Sequence, residues 1–354
     1  MAKRPYSFAR SGSIIQDMDK RQVVIDAIEF RRPAYVPWNW APTRDCALRL
    51  REKLGGAELE GFIQPHFADF GAGELRVEWA RGDFVGDVYG VVWDRTVDKD
   101  IGTPSQCPIA STADLARYRF PDANNPSWYA GMERGVPASR HLFTRFVLGF
   151  SLFERAWTLR GMENLLIDMV ENPAFVEDLL DAIVEHNLAQ LRNALAFPFD
   201  CVHFGDDYGS QLGLIMGGPH WRRFFKPRLA KMFGAARQAG RYVSLHSCGH
   251  VQEVFDDLVE IGLRLFNPFQ PEVMDVFDLM RRYRGRLAFH GGMSVQKVLP
   301  FGSQAEVRQA ARALLEAGAE GGFVFSPSHA VPRDVPPENL IAMQEVLTSQ
   351  KGLA

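Results

Sequence analysis

His246-Ser247-Cys248-Gly249 places an imidazole and a thiol two residues apart at the end of a strand-like run. In a strand, residues i and i+2 share a face, so the two side chains point the same way and form a chelating pair suited to a metal or catalytic role. Ahead of them, Val243 and Leu245 take one face while Tyr242, Ser244, His246 and Cys248 take the other, so the pair sits where the strand stops. Behind them, Val251, Val254, Phe255, Leu258 and Val259 recur at helical spacing up to Gly262, a left-handed cap. Strand, polar tip and helix is the arrangement in which barrel enzymes hold their chemistry. Cys248 taken alone also reads as a small buried hydrophobe.

A second cluster, Gly205-Asp206-Asp207-Tyr208-Gly209, follows another strand-like run. Asp206 or Asp207 has the chemistry to position or protonate a leaving oxygen, or to orient a ligand histidine. An Asx turn with a helix N-cap uses the same residue type at the same place. His203 and His290 also end strands and stand as reserve ligands, and Gln211, Gln296 and Lys297 are candidate polar contacts for a substrate. Trp38, Trp40 and Trp93 either line an aromatic pocket or pack the interior.

The elements that position these residues are read from periodicity. A helix over 17–30 carries Val23, Val24, Ala27 and Ile28 on one side, and Arg32-Pro33 breaks it before an apolar run at 35–38. Over 71–122 the pattern changes: Leu75, Val77 and Trp79 alternate, 88–93 is strand-like, and glycines and prolines punctuate the rest, which predicts hairpins and loops inserted near one mouth of a larger fold. From 142 onward, strands at 142–148, 201–204, 242–246, 263–266, 287–290 and 323–326 alternate with helices at 152–195, 219–238, 251–261, 273–282, 304–317 and 337–347. Ser303-Gln304-Ala305-Glu306 is a capping box, and Val307, Ala310, Ala311, Leu314 and Leu315 form the buried stripe behind it. With 35–38 and one strand near 62–67, roughly eight βα units are available, which predicts an α/β fold, a single-domain (β/α)8 TIM barrel over 1–354. Neither Gly71-Ala72-Gly73 nor Gly318-Ala319-Glu320-Gly321-Gly322 has the spacing of a phosphate-binding turn, so no nucleotide cofactor is expected.

Composition narrows the function classes. The 354 residues carry 40 basic and 43 acidic side chains, a net charge of −3, so capture of a nucleic-acid backbone is not expected. No apolar run approaches the ~18 residues of a membrane span, and Met1-Ala2-Lys3-Arg4-Pro5 has no apolar segment behind it, which predicts a cytoplasmic protein without a membrane partner. Cys46, Cys107, Cys201 and Cys248 are too few and scattered for a disulfide framework, so reduced thiols are expected.

His246-Ser247-Cys248-Gly249, the run from Gly291 to Lys297, the ending Ser326-Pro327-Ser328-His329 through Pro336-Pro337-Glu338-Asn339, and the opening 21–37 together resemble the uroporphyrinogen decarboxylase superfamily over nearly the whole chain. The resemblance implies a (β/α)8 barrel with its site at the C-terminal mouth. It implies one of two activities: metal-free decarboxylation of uroporphyrinogen, or zinc-dependent methyl transfer to or from a corrinoid protein. The decarboxylases carry an R-x-A-G-R-Y signature after the first strand, whereas this chain reads Trp38-Asn39-Trp40-Ala41-Pro42-Thr43-Arg44, with one arginine to pair the substrate's carboxylates. The methyltransferases bind zinc through His-x-Cys and a third ligand, usually cysteine, upstream of P-x-E-N. Aligned on Pro336-Pro337-Glu338-Asn339, that place is held by His329, so the resemblance implies His246, Cys248 and His329 as zinc ligands with a fourth position open.

The function expected from this resemblance is O-demethylase-like: zinc-dependent transfer of a methyl group from a methoxylated or methylated small molecule to a corrinoid. The chain has no D-x-H-x-x-G motif, so the corrinoid is expected on a separate partner protein, docking on exposed aromatic surface between Trp38 and Trp93. The alternatives are a uroporphyrinogen-type decarboxylase and a non-catalytic binder of a tetrapyrrole or other small molecule. The oligomeric state stays open, a homodimer among the options.

Overall fold

A computed structural model describes residues 19–71 and 76–350. The expected helix start at Asp17, the glycine turn at Ala72-Gly73 and the alternating Leu75 lie outside the described residues. The strands are β1 (Phe67–Phe70), β2 (Val77–Arg81), β3 (Phe84–Asp87), β4 (Val92–Asp94), β5 (Thr103–Gln106), β6 (Phe143–Leu148), β7 (Cys201–Gly205), β8 (Tyr242–His246), β9 (Leu265–Phe269), β10 (Ala288–Met293) and β11 (Phe323–Pro327). The helices are α1 (Lys20–Ile28), α2 (Arg44–Lys53), α3 (Leu59–Ile63), α4 (Met132–Ala138), α5 (Phe153–Arg160), α6 (Met162–Glu171), α7 (Pro173–Ala194), α8 (Gly218–His220), α9 (Lys226–Gln238), α10 (Phe255–Glu260), α11 (Val276–Arg282), α12 (Val298–Phe301), α13 (Gln304–Gly318) and α14 (Pro337–Thr348). Among the described residues, no helix is long and apolar enough to cross a membrane, and all four cysteines are free.

β1 and β6 to β11 form a seven-stranded sheet in chain order, and β2 to β5 form a separate antiparallel one. In the larger sheet β6 pairs with β7, β7 with β8, β9 with β10 and β10 with β11, each in parallel. Helix crossovers between parallel neighbours taken in sequence order are the winding of a barrel rather than of a doubly wound sheet. The ladder holds seven strands, not the eight expected. The run at 35–38 joins β11 through one isolated bridge, Trp38 to Phe325, and a second bridge, Pro42 to Val331, lies beyond both segments. The reason is chemical: Pro37 has no N–H to donate, and both backbone groups of Val36 are taken by the Gln350 side-chain amide, at 3.0 and 3.1 Å. The strand expected near 62–67 is also corrected. Leu59, Phe62 and Ile63 have helical spacing and form α3, closed by Gln64 in the left-handed region, so the strand starts at Phe67.

The chain divides into two compact units, one of residues up to 68, 140–143 and from 265 on, the other of 69–139 and 144–264. In the first, α1 packs on β10 and β11, and α13 begins at the expected capping box, with Ser303 and Glu306 bonded reciprocally. Val307, Ala311, Leu314 and Leu315 of α13 are buried.

In the second unit the central residues of β6, β7 and β8 are buried on both faces, as parallel strands covered by helices require. The segment expected as hairpins folds as β2 to β5, and its tight reversal at Gly82 (φ +61) joins Arg81 to its partner Phe84. Trp93 of β4 stacks on Phe150, just past β6, with ring centroids 5.6 Å apart. Asp87, buried, accepts from Trp93 Nε1 at 3.0 Å and from the N–H groups of Tyr89 and Val91. That carboxylate ties the inserted sheet together where it meets the β6 tip.

Candidate functional site

His246 is the last residue of β8, in register with Gly205 at the end of β7. The two following loops, 206–210 and 246–250, therefore run side by side. Cys248 Sγ lies 3.3 Å from His246 Nε2, so the thiol and imidazole converge as the i, i+2 spacing requires. Asp207 supports both: its Oδ1 accepts the Cys248 N–H at 2.7 Å and stands 3.6 Å from His246 Nε2. Burial pushes the Cys248 thiol well up, and the Asp207 carboxylate pushes it further. In the absence of a cation the sulfur keeps its proton; a bound cation would favour the thiolate.

The two adjacent aspartates have separate jobs. Asp206 is wholly buried, and its oxygens accept from Phe153 N–H at 2.9 Å, Glu154 N–H at 2.7 Å and Tyr208 Oη–H at 2.5 Å. It caps the N-terminus of α5 from across the sheet, and burial raises its carboxyl to about 7 against the pull of these donors. Direct chemistry on substrate by Asp206 is thereby corrected: both of its oxygens are committed to holding a helix. Asp207, with its side chain 37 % exposed, is the carboxylate that faces the His246 and Cys248 pair.

The remaining candidates stand on other elements. His203 is buried with Nδ1 2.8 Å from Ser244 Oγ, and its ring centroid is 6.4 Å from that of His246. His290 is buried in the other unit, where Nε2 meets Asn39 O at 3.1 Å. His329, exposed, follows β11 in that same unit, and Gln296 and Lys297 are exposed in the turn after β10. Gln211 is exposed at the tip of the loop after β7.

All three tryptophans are interior. Trp38 Nε1 donates to Ile63 O at 2.7 Å, Trp40 Nε1 to Gln344 Oε1 at 3.0 Å, and Trp93 Nε1 to Asp87. Each is at most 4 % exposed, so none of these three indoles offers a surface to a partner. Their N–H groups found buried acceptors, which lets a tryptophan fill a core as well as line a mouth.

Ser247, Gly209 and Gly249 also build the site, although their residue types carry no chemistry of their own. Ser247 Oγ accepts the Tyr208 N–H at 3.0 Å, and the two glycines lie back to back between the loops. A glycine directly after each polar tip is the available signal, because only a missing side chain allows two loops to approach so closely.

Residues 149–349 match the family model described as Uroporphyrinogen decarboxylase (URO-D). Among solved structures, a methyltransferase from Methanosarcina mazei shares the fold, with a TM-score of 0.70 at 15% identity, over 92% of this chain and 97% of that one. An endo-beta-1,4-xylanase from Gloeophyllum trabeum is a weaker match, with a TM-score of 0.38 at 13% identity over 66% of this chain and 82% of that one. No curated protein matches the chain.

Proposed function

The chain belongs to the uroporphyrinogen decarboxylase family, and from that premise we propose that it is a zinc-dependent methyltransferase. It moves a methyl group from a methoxylated or methylated small molecule to a corrinoid carried on a separate protein. The observation that carries this reading is the converging pair at the tip of β8, Cys248 Sγ 3.3 Å from His246 Nε2, to which the family resemblance adds His329 as third ligand. Two imidazoles and a thiol suit zinc, and three protein ligands are the complement of a catalytic rather than a structural zinc site. When bound, zinc supplies Lewis acidity to the methyl-bearing oxygen or sulfur of the donor.

The chain's own residues have separable parts in this reading. His246, Cys248 and His329 hold the ion. Asp207 holds the Cys248 main chain, while Asp206 keeps α5 and the loop after β7 in place. The methyltransferase with the shared fold supports the branch, and so does the single arginine in the segment 38–44, where a decarboxylase would need several. The family description itself favours a second reading, uroporphyrinogen decarboxylation.

One experiment separates the two. Zinc-loaded protein is mixed with cob(I)alamin and a panel of methoxylated aromatics and small methylated compounds, and separately with uroporphyrinogen. The expected result is methylcobalamin formation that Cys248→Ala abolishes, with no decarboxylation. Coproporphyrinogen formed at an enzymatic rate, without methyl transfer, replaces this reading with the second.

A further inference from the structure

The loops after β7 and β8 are joined by more than the strand ladder. Asp206 N–H donates to His246 O at 2.9 Å, Tyr208 N–H to Ser247 Oγ at 3.0 Å, Gly209 N–H to Cys248 O at 3.1 Å and His250 N–H to Ser210 O at 2.7 Å. With Asp207 Oδ1 accepting the Cys248 N–H, both main-chain polar groups of Cys248 are bound by the one neighbouring loop. Holding both flanking peptides fixes the direction of the Cα–Cβ bond and leaves the thiol one rotation, about χ1.

This grip depends on the absence of side chains between the loops. A Cβ on Gly209 would stand 2.5 Å from Cys248 O and 2.8 Å from Val251 Cγ1. One on Gly249 would stand 2.5 Å from Gly209 O and 2.6 Å from Ser210 O, at a φ of +83 that already disfavours any side chain. The nearest obstacles are backbone atoms, which no rotamer change can move aside.

We propose that Gly209 and Gly249 are positioning residues: their bare backbones let the loop after β7 clamp the main chain of Cys248 and aim its sulfur at His246. The proposal deepens the reading of Cys248 as a ligand and rests on that reading for its purpose. Ser247 completes it from the other side, through Tyr208.

The test reads the clamp apart from the metal. Chelator-treated protein is alkylated with iodoacetamide, and modification is followed at each cysteine by peptide mass spectrometry. Opening a pinned loop limits access to a half-buried thiol, so Gly209→Ala and Gly249→Ala are expected to raise the Cys248 rate about tenfold. The rate at Cys107, half-buried elsewhere, stays unchanged. Gly262→Ala, which strains a left-handed residue (φ +107) after α10, is the control for general loosening and leaves the Cys248 rate as it was.

Ser247→Ala removes one rung without adding bulk, and a rise of about threefold is expected; it decides the matter where a glycine variant does not fold. An unchanged Cys248 rate in the folded variants, or an equal rise in Gly262→Ala, overturns the proposal. Cobalt(II) added in parallel separates the two claims. The wild type is expected to develop a thiolate-to-cobalt charge-transfer band that the glycine variants lose. A wild type without that band removes the metal reading and leaves the clamp to be decided by the alkylation rates.

Discussion

Replacing Asp206 and Asp207 by alanine, one at a time, should give opposite phenotypes although the residues are adjacent. Asp206 satisfies three buried donors, the N–H groups of Phe153 and Glu154 and the Tyr208 hydroxyl. Alanine leaves all three without an acceptor and uncaps α5. An orphaned buried donor costs about 1–3 kcal/mol and a lost N-cap about 1 kcal/mol; with water entering the vacated space, the expected loss is about 3–5 kcal/mol. That is a large fraction of the stability of an ordinary protein. Asp206→Asn keeps one oxygen and should lose less, about 1–3 kcal/mol. Asp207 is part-exposed and holds a single backbone N–H, so Asp207→Ala should cost about 1 kcal/mol or less in stability while weakening metal retention and methyl transfer strongly. Urea unfolding followed by tryptophan fluorescence and circular dichroism supplies the stabilities. Asp206→Ala within about 1 kcal/mol of wild type, or Asp207→Ala the less stable of the two, would refute this division of labour.

Two further outcomes follow from the buried polar groups of each unit. Trp93→Ala should destabilise by about 3–5 kcal/mol, because it empties the stack on Phe150 and strips Asp87 of a donor; a near-neutral effect in urea unfolding would mean the tryptophan is not a packing residue. The stability of the chain should fall as the solution is acidified below about pH 6.5. Burial holds His66 down to about 3 and, with Arg155 and Arg76 nearby, His186 down to about 4. Both folded values lie below the unfolded one, so the unfolded chain binds the protons first; stability is whole above about pH 6.5, and each histidine removes about 2 kcal/mol at pH 5. His186→Leu should flatten the stability profile between pH 5 and 7, and a slope equal to wild type would contradict the assignment.

The elements that carry the candidate site were legible because their signals are local. The alternation at 242–246 ends at His246, and the Ser303 capping box starts α13. What was illegible depended on partners far along the chain. Nothing near Val36 announces that the Gln350 amide will occupy its backbone, so the eighth strand of the expected barrel is reduced to bridges. Asp206 reads as a turn or a cap of its own loop, yet it caps a helix that precedes it by a whole βα unit. Trp38, Trp40 and Trp93 read equally as pocket or core until their buried acceptors Ile63, Gln344 and Asp87 are known. Leu59, Phe62 and Ile63 were ambiguous for another reason, since a short apolar run fits helix and strand alike.

Metal analysis of the full chain, purified without chelator or a nickel-affinity tag, tests the central claim most directly. The expected content is about one zinc per chain, held by three N/S ligands, with the metal lost from Cys248→Ala and from His329→Ala while circular dichroism shows both variants folded. Full metal retention in both variants, or a wild type that takes up no zinc when it is offered, would contradict it.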